Sequence, residues 1–568
     1  MYLIPEVKDL KKGNRRKING CKFIFNGEID ERVIKLCEKV PCGDTQVTIT
    51  VDGKGEDGYK IKFSDKRAEI CADGQSGAFY AVQTLRQIIK NGYCDAEEIN
   101  DAPDFHARGL YFDITRGRVP KIETLKKLVD LISYCKINML QLYVEHVFPF
   151  KEYNGIYQRT GYITPEEIKE LDKYCHENFV ELVPSLSCFG HLYELLNSEK
   201  YNYLCEIENY KPETVDWNER MLHHTIDASN PQSIEVIKSL INQYSPLFTS
   251  DKFNICCDET FDLCNGRNIG RDKGKAYVDF VNKVASYVKS LGKTPMMWGD
   301  VMCNHPELIN EVDNDVIFLS WRYDKNPSPD MIKSFYNSDK KQYVCPGVNN
   351  WNNLMEMTDE GIGNISAMAE YGKEYAAVGL LNTCWGDLGH ISPLAACMYG
   401  ILFGAHKAWN VGGASKIDSA MDTLYYGHKG AAKLVRKLSA AEYARYWYSV
   451  VAIYSNEKYS NEKMQIWCNP DKCNKAFEIC EEVIPYLMSE KWENDEARET
   501  LLNVAEGIEI LLAIIMSYKT GEKLGIDKHD AEEWIKKYSR IFLNESKESE
   551  LKIIVSVIYS LAEKYLNY

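Results

Sequence analysis

Asp258 and Glu259 stand side by side at the end of the apolar run Phe253-Asn254-Ile255-Cys256-Cys257. A short apolar run cut off by acidic residues has the pattern of a buried parallel strand reaching its C-terminal end. That is the end at which α/β folds bind ligands. Two adjacent carboxylates repel when both are ionised, so one tends to hold a proton while its neighbour stays charged. The pair therefore offers an acid and an orienting anion, a combination that cleavage of a glycosidic bond can use. Asp-Glu dipeptides are also common on solvated surfaces, so the reading depends on what falls at equivalent places elsewhere.

Several residues do. Arg116 follows the apolar run Gly109-Leu110-Tyr111-Phe112-Asp113; it is either an ion-pair partner for Asp113 or a fork for sugar hydroxyls. His191, in Cys188-Phe189-Gly190-His191, and Glu145-His146, after Val144, also follow apolar runs, with a structural histidine and a polar loop as the alternatives. Trp298, Trp321 and Trp385 each end such a run. One tryptophan there is ordinary core, but three at equivalent ends suit the apolar faces of a pyranose. Asp387, in Trp385-Gly386-Asp387, adds an acceptor.

The elements that would carry these residues fall into three parts. Over 1–100, Val47-Ile49-Val51, Tyr59-Ile61-Phe63 and Ala68-Ile70-Ala72 alternate as half-buried strands, expected to be antiparallel. A helix follows from Ser76 to Ile89, with Phe79, Val82, Leu85 and Ile89 as its apolar stripe and Gln83, Arg86 and Lys90 on its polar face. Asp101-Ala102-Pro103-Asp104 reads as a junction. Over 101–413 strand and helix alternate, through Met139–Val144, Val180–Ser185 and runs ending near Cys257, Trp298, Trp321, Val344 and Thr383. Helices are expected from Ile122 to Tyr134 and from Pro165 to Asn178. Eight such strands in about 300 residues predict an α/β fold, a (β/α)8 barrel. Residues 414–568 carry long helical patterns and almost no strand signal, so an all-α C-terminal domain is expected.

Bulk properties narrow the partners. A chain of 568 residues is too long for one core. The net charge of −15 argues against nucleic acid or an anionic membrane as the main partner. No run of about 18 uncharged apolar residues appears, so a transmembrane helix is not expected. The stretch Met1–Lys8 lacks a basic segment leading into an apolar one, which predicts a cytoplasmic location. The nineteen cysteines are odd in number, scattered and never spaced Cys-x-x-Cys. Those in apolar runs, such as Cys135, Cys188, Cys256 and Cys257, read as buried thiols in a reducing compartment. Nothing points to a metal or an organic cofactor.

Taken in order, these segments resemble glycoside hydrolase family 20, the β-N-acetylhexosaminidases. Arg108-Gly109-Leu110-Tyr111-Phe112-Asp113-Ile114-Thr115-Arg116 is similar to the family's first barrel strand, and Asp258-Glu259 to its catalytic pair. Trp298, Trp321 and Trp385-Gly386-Asp387 resemble its sugar-binding residues, and Gly77–Leu85 the helix of the α+β domain before the barrel. The resemblance spans about residues 45–410. It implies an exo-acting enzyme that removes terminal β-linked GlcNAc or GalNAc from a small oligosaccharide or glycoconjugate with retention, the substrate's acetamide oxygen serving as nucleophile. On that basis Glu259 is the general acid and Asp258 orients the acetamide. Arg116 binds the C3 and C4 hydroxyls and Asp387 those on C4 and C6, while the tryptophans enclose the ring.

The chain departs from the family pattern in places. Many members have His-x-Gly-Gly before the pair, where this chain has Asn254-Ile255-Cys256-Cys257. The usual histidine-rich strand end is replaced by Gln141–His146, leaving Glu145 or His146 with His191 to tune Glu259. No tyrosine lies in Cys345–Asn349 to meet the acetamide oxygen, so Asn349 or Trp351 are the candidates, and Asp387 stands where glutamate is usual. Two other readings stay open: a barrel glycosidase with a protein nucleophile, such as Glu259 paired with Glu145, and a non-catalytic sugar-binding protein.

Overall fold

The structure is a computed structural model that describes all residues except 54–56, 154, 211–215, 222–223, 414–415, 461–463 and 567–568. The N-terminal strands β1 (Asp9–Lys17), β2 (Cys21–Asn26), β3 (Thr45–Val51), β4 (Tyr59–Phe63), β5 (Arg67–Ala72) and β6 (Tyr93–Asp101) form one sheet in the order β1-β6-β4-β5-β3-β2. Alternation places Val47, Ile49, Ile61 and Ile70 on one buried face. The sheet is mixed rather than antiparallel. β5 inserts between β3 and β4, so it runs antiparallel to β4 but parallel to β3, which is also parallel to β2.

The helix Gln75–Asn91 covers that sheet. Its expected polar face is only partly wet, because its other side packs on the barrel. Gln83 is buried and donates to Ser133 Oγ at 3.3 Å, and Gln87 donates to the Tyr134 carbonyl at 3.0 Å. Both partners belong to the helix Ile122–Tyr134 or follow directly on it.

Eight parallel strands close the barrel: β7 (Ala107–Asp113), β8 (Met139–Val144), β9 (Glu181–Leu186), β10 (Lys252–Asn254), β11 (Thr294–Trp298), β12 (Ile317–Trp321), β13 (Gln342–Cys345) and β14 (Gly379–Cys384). β14 pairs with β7 from Gly379↔Ala107 to Cys384↔Phe112 and completes the ring. Tyr111, Tyr143, Met296, Trp298 and Trp385 fill its interior as a core of their own. β10 ends sooner than its apolar run suggests. Cys256 (φ 57°) and Cys257 (φ 63°) leave the strand in the left-handed region, where glycine is ordinarily preferred.

The barrel's outer core continues without a break into the C-terminal helices, among them Tyr446–Tyr459, Pro470–Ser489, Asp495–Thr520, Lys528–Glu545 and Leu551–Tyr565. Asp495–Thr520 is long and apolar enough, by length and composition alone, to cross a membrane, although the sequence offered no such span. Most of its apolar face is buried against neighbouring helices. β6 runs one residue past the expected boundary at 100, and the boundary at 413/414 meets residues 414–415, outside the described residues.

Candidate active site

Asp258 and Glu259 emerge beyond β10 at the C-terminal mouth of the barrel. The turn that delivers them is held by Asn254, whose Oδ1 accepts the Cys256 N–H at 2.9 Å and whose amide donates to Gln141 Oε1 at 3.0 Å. Glu259 itself has φ 48°. Left-handed backbone at three of four successive residues is strain of the kind functional sites store.

His191 binds the two carboxylates together. Its Nε2 lies 3.3 Å from Asp258 Oδ2 and 3.5 Å from Glu259 Oε2. Burial disfavours a charged imidazole, but the Asp258 charge and the hydrogen bonds to both carboxylates outweigh it and push the pKa up to about 10. His191 is therefore an imidazolium at neutral pH. Among the described residues this trio is the one group that brings three metal-type ligand atoms within 4.8 Å of one another.

A second charged cluster lies beside it. Arg116 is buried, with Nη1 3.1 Å from Asp387 Oδ1 and 3.7 Å from Asp113 Oδ2, and Nε 3.4 Å from Glu145 Oε1. The rings of Tyr143 and Trp385 lie 5.0 and 5.2 Å from the guanidinium. Asp113 also accepts the N–H groups of Thr115 (2.9 Å) and Gly386 (3.0 Å), which fixes the loops carrying Arg116 and Asp387. Glu145 accepts the Tyr143 hydroxyl at 2.8 Å. Burial opposes its ionisation, yet His146, Arg116 and His191 hold its carboxyl well below the usual range. Burial raises Asp387 to about 6 despite Arg116.

These groups surround a cavity of about 180 Å³ lined by Arg116, Met221, Asp258, Glu259, Trp298, Trp321, Tyr323, Trp351, Trp385 and Asp387. Its volume falls below the range of pockets for drug-sized ligands and suits one small unit. Trp298, Trp385 and Arg116 are buried at its floor, while Glu259, Trp321, Tyr323 and Trp351 are partly exposed at its rim. Trp321 stacks on Tyr323 (5.0 Å, 25°), whose hydroxyl accepts the Trp385 indole N–H at 2.7 Å.

The C-terminal helices brace this rim. Glu550 is buried and accepts from Trp217 Nε1 (2.5 Å) and Arg220 Nη2 (2.6 Å), in the short helix that ends at Met221. Arg445 (φ 50°) donates to the Trp351 carbonyl at 2.6 Å and to Asn349 Oδ1 at 2.8 Å, with its guanidinium 4.4 Å from the Trp351 ring.

Seven of the expected site residues line the cavity: Arg116, Asp258, Glu259, Trp298, Trp321, Trp385 and Asp387. His191 and Glu145, expected to tune Glu259, and Asn349, a candidate for the acetamide oxygen, do not line it. His191 lies behind the acids and Glu145 behind Arg116, their side chains 1% and 4% exposed. Asn349 turns away, because its amide donates to the Tyr323 carbonyl and its oxygen accepts from Arg445. Sequence reasoning passed over Met221, Tyr323 and Asp300. Asp300 accepts the Glu259 N–H at 3.0 Å and the Trp321 indole N–H at 3.4 Å. Its signal was present, since Trp298-Gly299-Asp300 repeats the tripeptide Trp385-Gly386-Asp387.

A closed parallel barrel with paired acids in a tryptophan-walled pocket at its C-terminal mouth has the architecture of a barrel glycoside hydrolase. Residues 105–348 match the catalytic domain of glycosyl hydrolase family 20 and residues 28–102 match that family's domain 2. The chain belongs to glycosyl hydrolase family 20. It is 20% identical over 296 residues to the lacto-N-biosidase of Bifidobacterium bifidum (48% of this chain, 25% of that protein). It is 23% identical over 286 residues to a beta-hexosaminidase of Porphyromonas gingivalis (44% and 36%). The matches thus span a quarter to about a third of the length of those two relatives. Among solved structures, the β-N-acetylhexosaminidase of Bacteroides fragilis aligns with a TM-score of 0.58 at 17% identity (73% of this chain, 92% of that one). The Flavobacterium johnsoniae chitobiase aligns with 0.59 at 16% (98% and 99%), so the likeness in fold includes the C-terminal helices.

Proposed function

We propose that this protein is an exo-acting β-N-acetylhexosaminidase that removes a terminal β-linked GlcNAc or GalNAc with retention, using the substrate's acetamide oxygen as nucleophile. The observation that carries the reading is the closeness of the acids. Asp258 and Glu259 each place an oxygen on the same His191 nitrogen, within 4.8 Å of one another. Inverting enzymes separate their carboxyl groups by about 6.5–9.5 Å to admit a water, and there is no such gap here. Glu145, the alternative nucleophile, is held by Arg116 and Tyr143 behind the cavity wall.

In this mechanism Glu259, at the rim, protonates the leaving oxygen. Asp258, beside the His191 imidazolium, accepts the acetamide N–H and turns the carbonyl oxygen onto the anomeric carbon. The C–O bond to the leaving group breaks as the oxazolinium ring closes. Water, deprotonated by Glu259, then opens that ring with a second inversion at the anomeric carbon. Positioning an internal nucleophile in this way supplies several kcal/mol of the catalysis. Tyr323 takes the place left unassigned by the sequence: its hydroxyl oxygen accepts from Trp385, and its proton is donated to the acetamide oxygen. Arg116 and Asp387 bind ring hydroxyls, and the tryptophans enclose ring and methyl group. Nineteen free thiols, most of them buried, support the reducing, cytoplasmic location we also propose.

Hydrolysis of p-nitrophenyl β-GlcNAc by wild type, Glu259→Gln and Asp258→Asn, with the β-glucoside as control, tests this reading. Wild type is expected to cleave only the N-acetyl sugar, and each variant to lose most of that activity. Comparable cleavage of the glucoside would refute the substrate-assisted step, and sugar binding without turnover would leave a binding protein.

A further inference from the structure

His191, Asp258 and Glu259 have the spacing of a metal centre as well as that of an acid pair. His191 Nε2 lies 3.3 Å from Asp258 Oδ2 and 3.5 Å from Glu259 Oε2. Zn²⁺ holds nitrogen and oxygen ligands at about 2.0–2.2 Å in a tetrahedron, which separates any two of them by about 3.3–3.6 Å. One ligand atom from each residue lies within 4.8 Å of the others, and Glu259, partly exposed at the rim, has room to turn toward an ion.

The donor chemistry selects among ions. An imidazole with two carboxylates is a set that Zn²⁺ accepts, whereas Mg²⁺ and Ca²⁺ call for six or more oxygens. Asp258 is buried, and its Oδ1 accepts no hydrogen bond from the described residues, so half of this carboxylate is left to meet a ligand from the cavity.

The surroundings support the same ion. Glu145 Oε1 stands 3.9 Å from Nδ1, the other ring nitrogen of His191, and a carboxylate behind a ligating histidine is the usual support of such a ligand. Asp300 accepts the Glu259 N–H at 3.0 Å and adds negative charge. Arg116 opposes a cation, with Nη2 3.4 Å from Nδ1, but Asp113, Glu145 and Asp387 face its guanidinium and offset it. Entry is by the sugar pocket, which Asp258 and Glu259 line, so the fourth tetrahedral position opens onto that pocket and falls to water.

We propose that His191, Asp258 and Glu259 form a Zn²⁺ site whose occupation switches the enzyme off. As the bonds to the metal form, the protons on Nε2 and on Glu259 leave to solvent. Glu259 then has no proton for the leaving oxygen, and Asp258 no longer accepts the acetamide N–H. The site follows from the ligand geometry alone, while its inhibitory effect rests on the hexosaminidase reading above.

The test titrates the full chain with Zn²⁺ against a fluorescent zinc indicator and follows p-nitrophenyl β-GlcNAc hydrolysis in parallel. One tightly held ion per chain is expected, with activity falling in proportion to occupancy, returning with EDTA and indifferent to Mg²⁺ and Ca²⁺. His191→Phe, Asp258→Asn and Glu259→Gln should each weaken binding by about 100-fold or more, the upper end of what residues behind the ligands contribute. Co²⁺ in the same site should show visible d–d bands and no thiolate charge-transfer band, because no cysteine belongs to the trio. Zinc affinity within about twofold of wild type in all three variants, or a thiolate band marking a cysteine site, overturns the inference. Turnover that full occupancy leaves unchanged overturns the inhibition while the hexosaminidase reading stands. Zinc held by the trio, with no turnover of the glycoside even when metal-free, leaves the site standing and overturns that reading.

Discussion

Replacing His191 with phenylalanine keeps a ring in place and removes a cation that touches both acids. The rise of its pKa from 6.5 to about 10 corresponds to about 5 kcal/mol favouring the charged ring in the folded protein, at about 1.4 kcal/mol per pH unit. Because the folded pKa is the higher one, this stabilisation is complete below about 6.5 and is lost as pH rises through about 10. Wild-type stability should therefore carry an additional slope of about −1.4 kcal/mol per pH unit between those limits, a slope absent from His191→Phe. Thermal unfolding of both proteins from pH 6 to 10 reads this directly, as a gap that is widest at pH 6 and narrows steadily. The same variant should lose about 100-fold in kcat/KM, since Asp258 no longer has its counter-ion and the acid pair is no longer held in register. Parallel stability curves across that range would refute the claim that a charged His191 holds the two acids.

Two further outcomes follow from the surrounding network. Asp300→Asn retains an acceptor for the Glu259 N–H but removes a carboxyl that burial, then the charges of Asp258 and Glu259, raise to about 7. With that negative charge gone, the neighbouring acid gives up its proton more readily, so the alkaline limb of the kcat/KM profile should move to lower pH; a limb that stays put counts against the coupling. Glu550→Gln leaves buried Arg220 with only part of its counter-charge, because Glu194 remains at 3.2 Å. A loss of about 3 kcal/mol is expected, read as a lower Tm, together with a raised KM from the displaced Met221 rim. Unchanged Tm and KM would show that the helices do not brace the site.

The barrel was legible because each of its strands is buried on both faces and so reads as an apolar run, from Gly109–Asp113 through the stretch ending at Thr383. The position of the acid pair Asp258-Glu259 was legible for the same reason, as charge placed abruptly after such a run. β1 was not, since Asp9–Lys17 is an exposed edge strand without apolar alternation, held in the sheet by pairing with β6. The direction of β3 was misjudged because alternation reports burial and not neighbours. Cys256 and Cys257 gave no local sign of left-handed backbone, a conformation imposed by the turn that aims Glu259. Glu550 and Arg445 reach the rim from distant parts of the chain, and no window of sequence connects them to Arg220 or Trp351. Tyr323 was hidden for a related reason: the sequence reading looked for a further cavity residue after β13, whereas this tyrosine comes from the loop after β12.

The central claim is that the acetamide oxygen attacks the anomeric carbon. Its most direct test is the rate of hydrolysis of p-nitrophenyl β-glycosides carrying N-acetyl, N-fluoroacetyl, N-difluoroacetyl and N-trifluoroacetyl groups, since each fluorine weakens that oxygen as a nucleophile and leaves the scissile bond alone. The account predicts a steep, monotonic fall in kcat along the series. A flat series would contradict it and place the nucleophile on the protein.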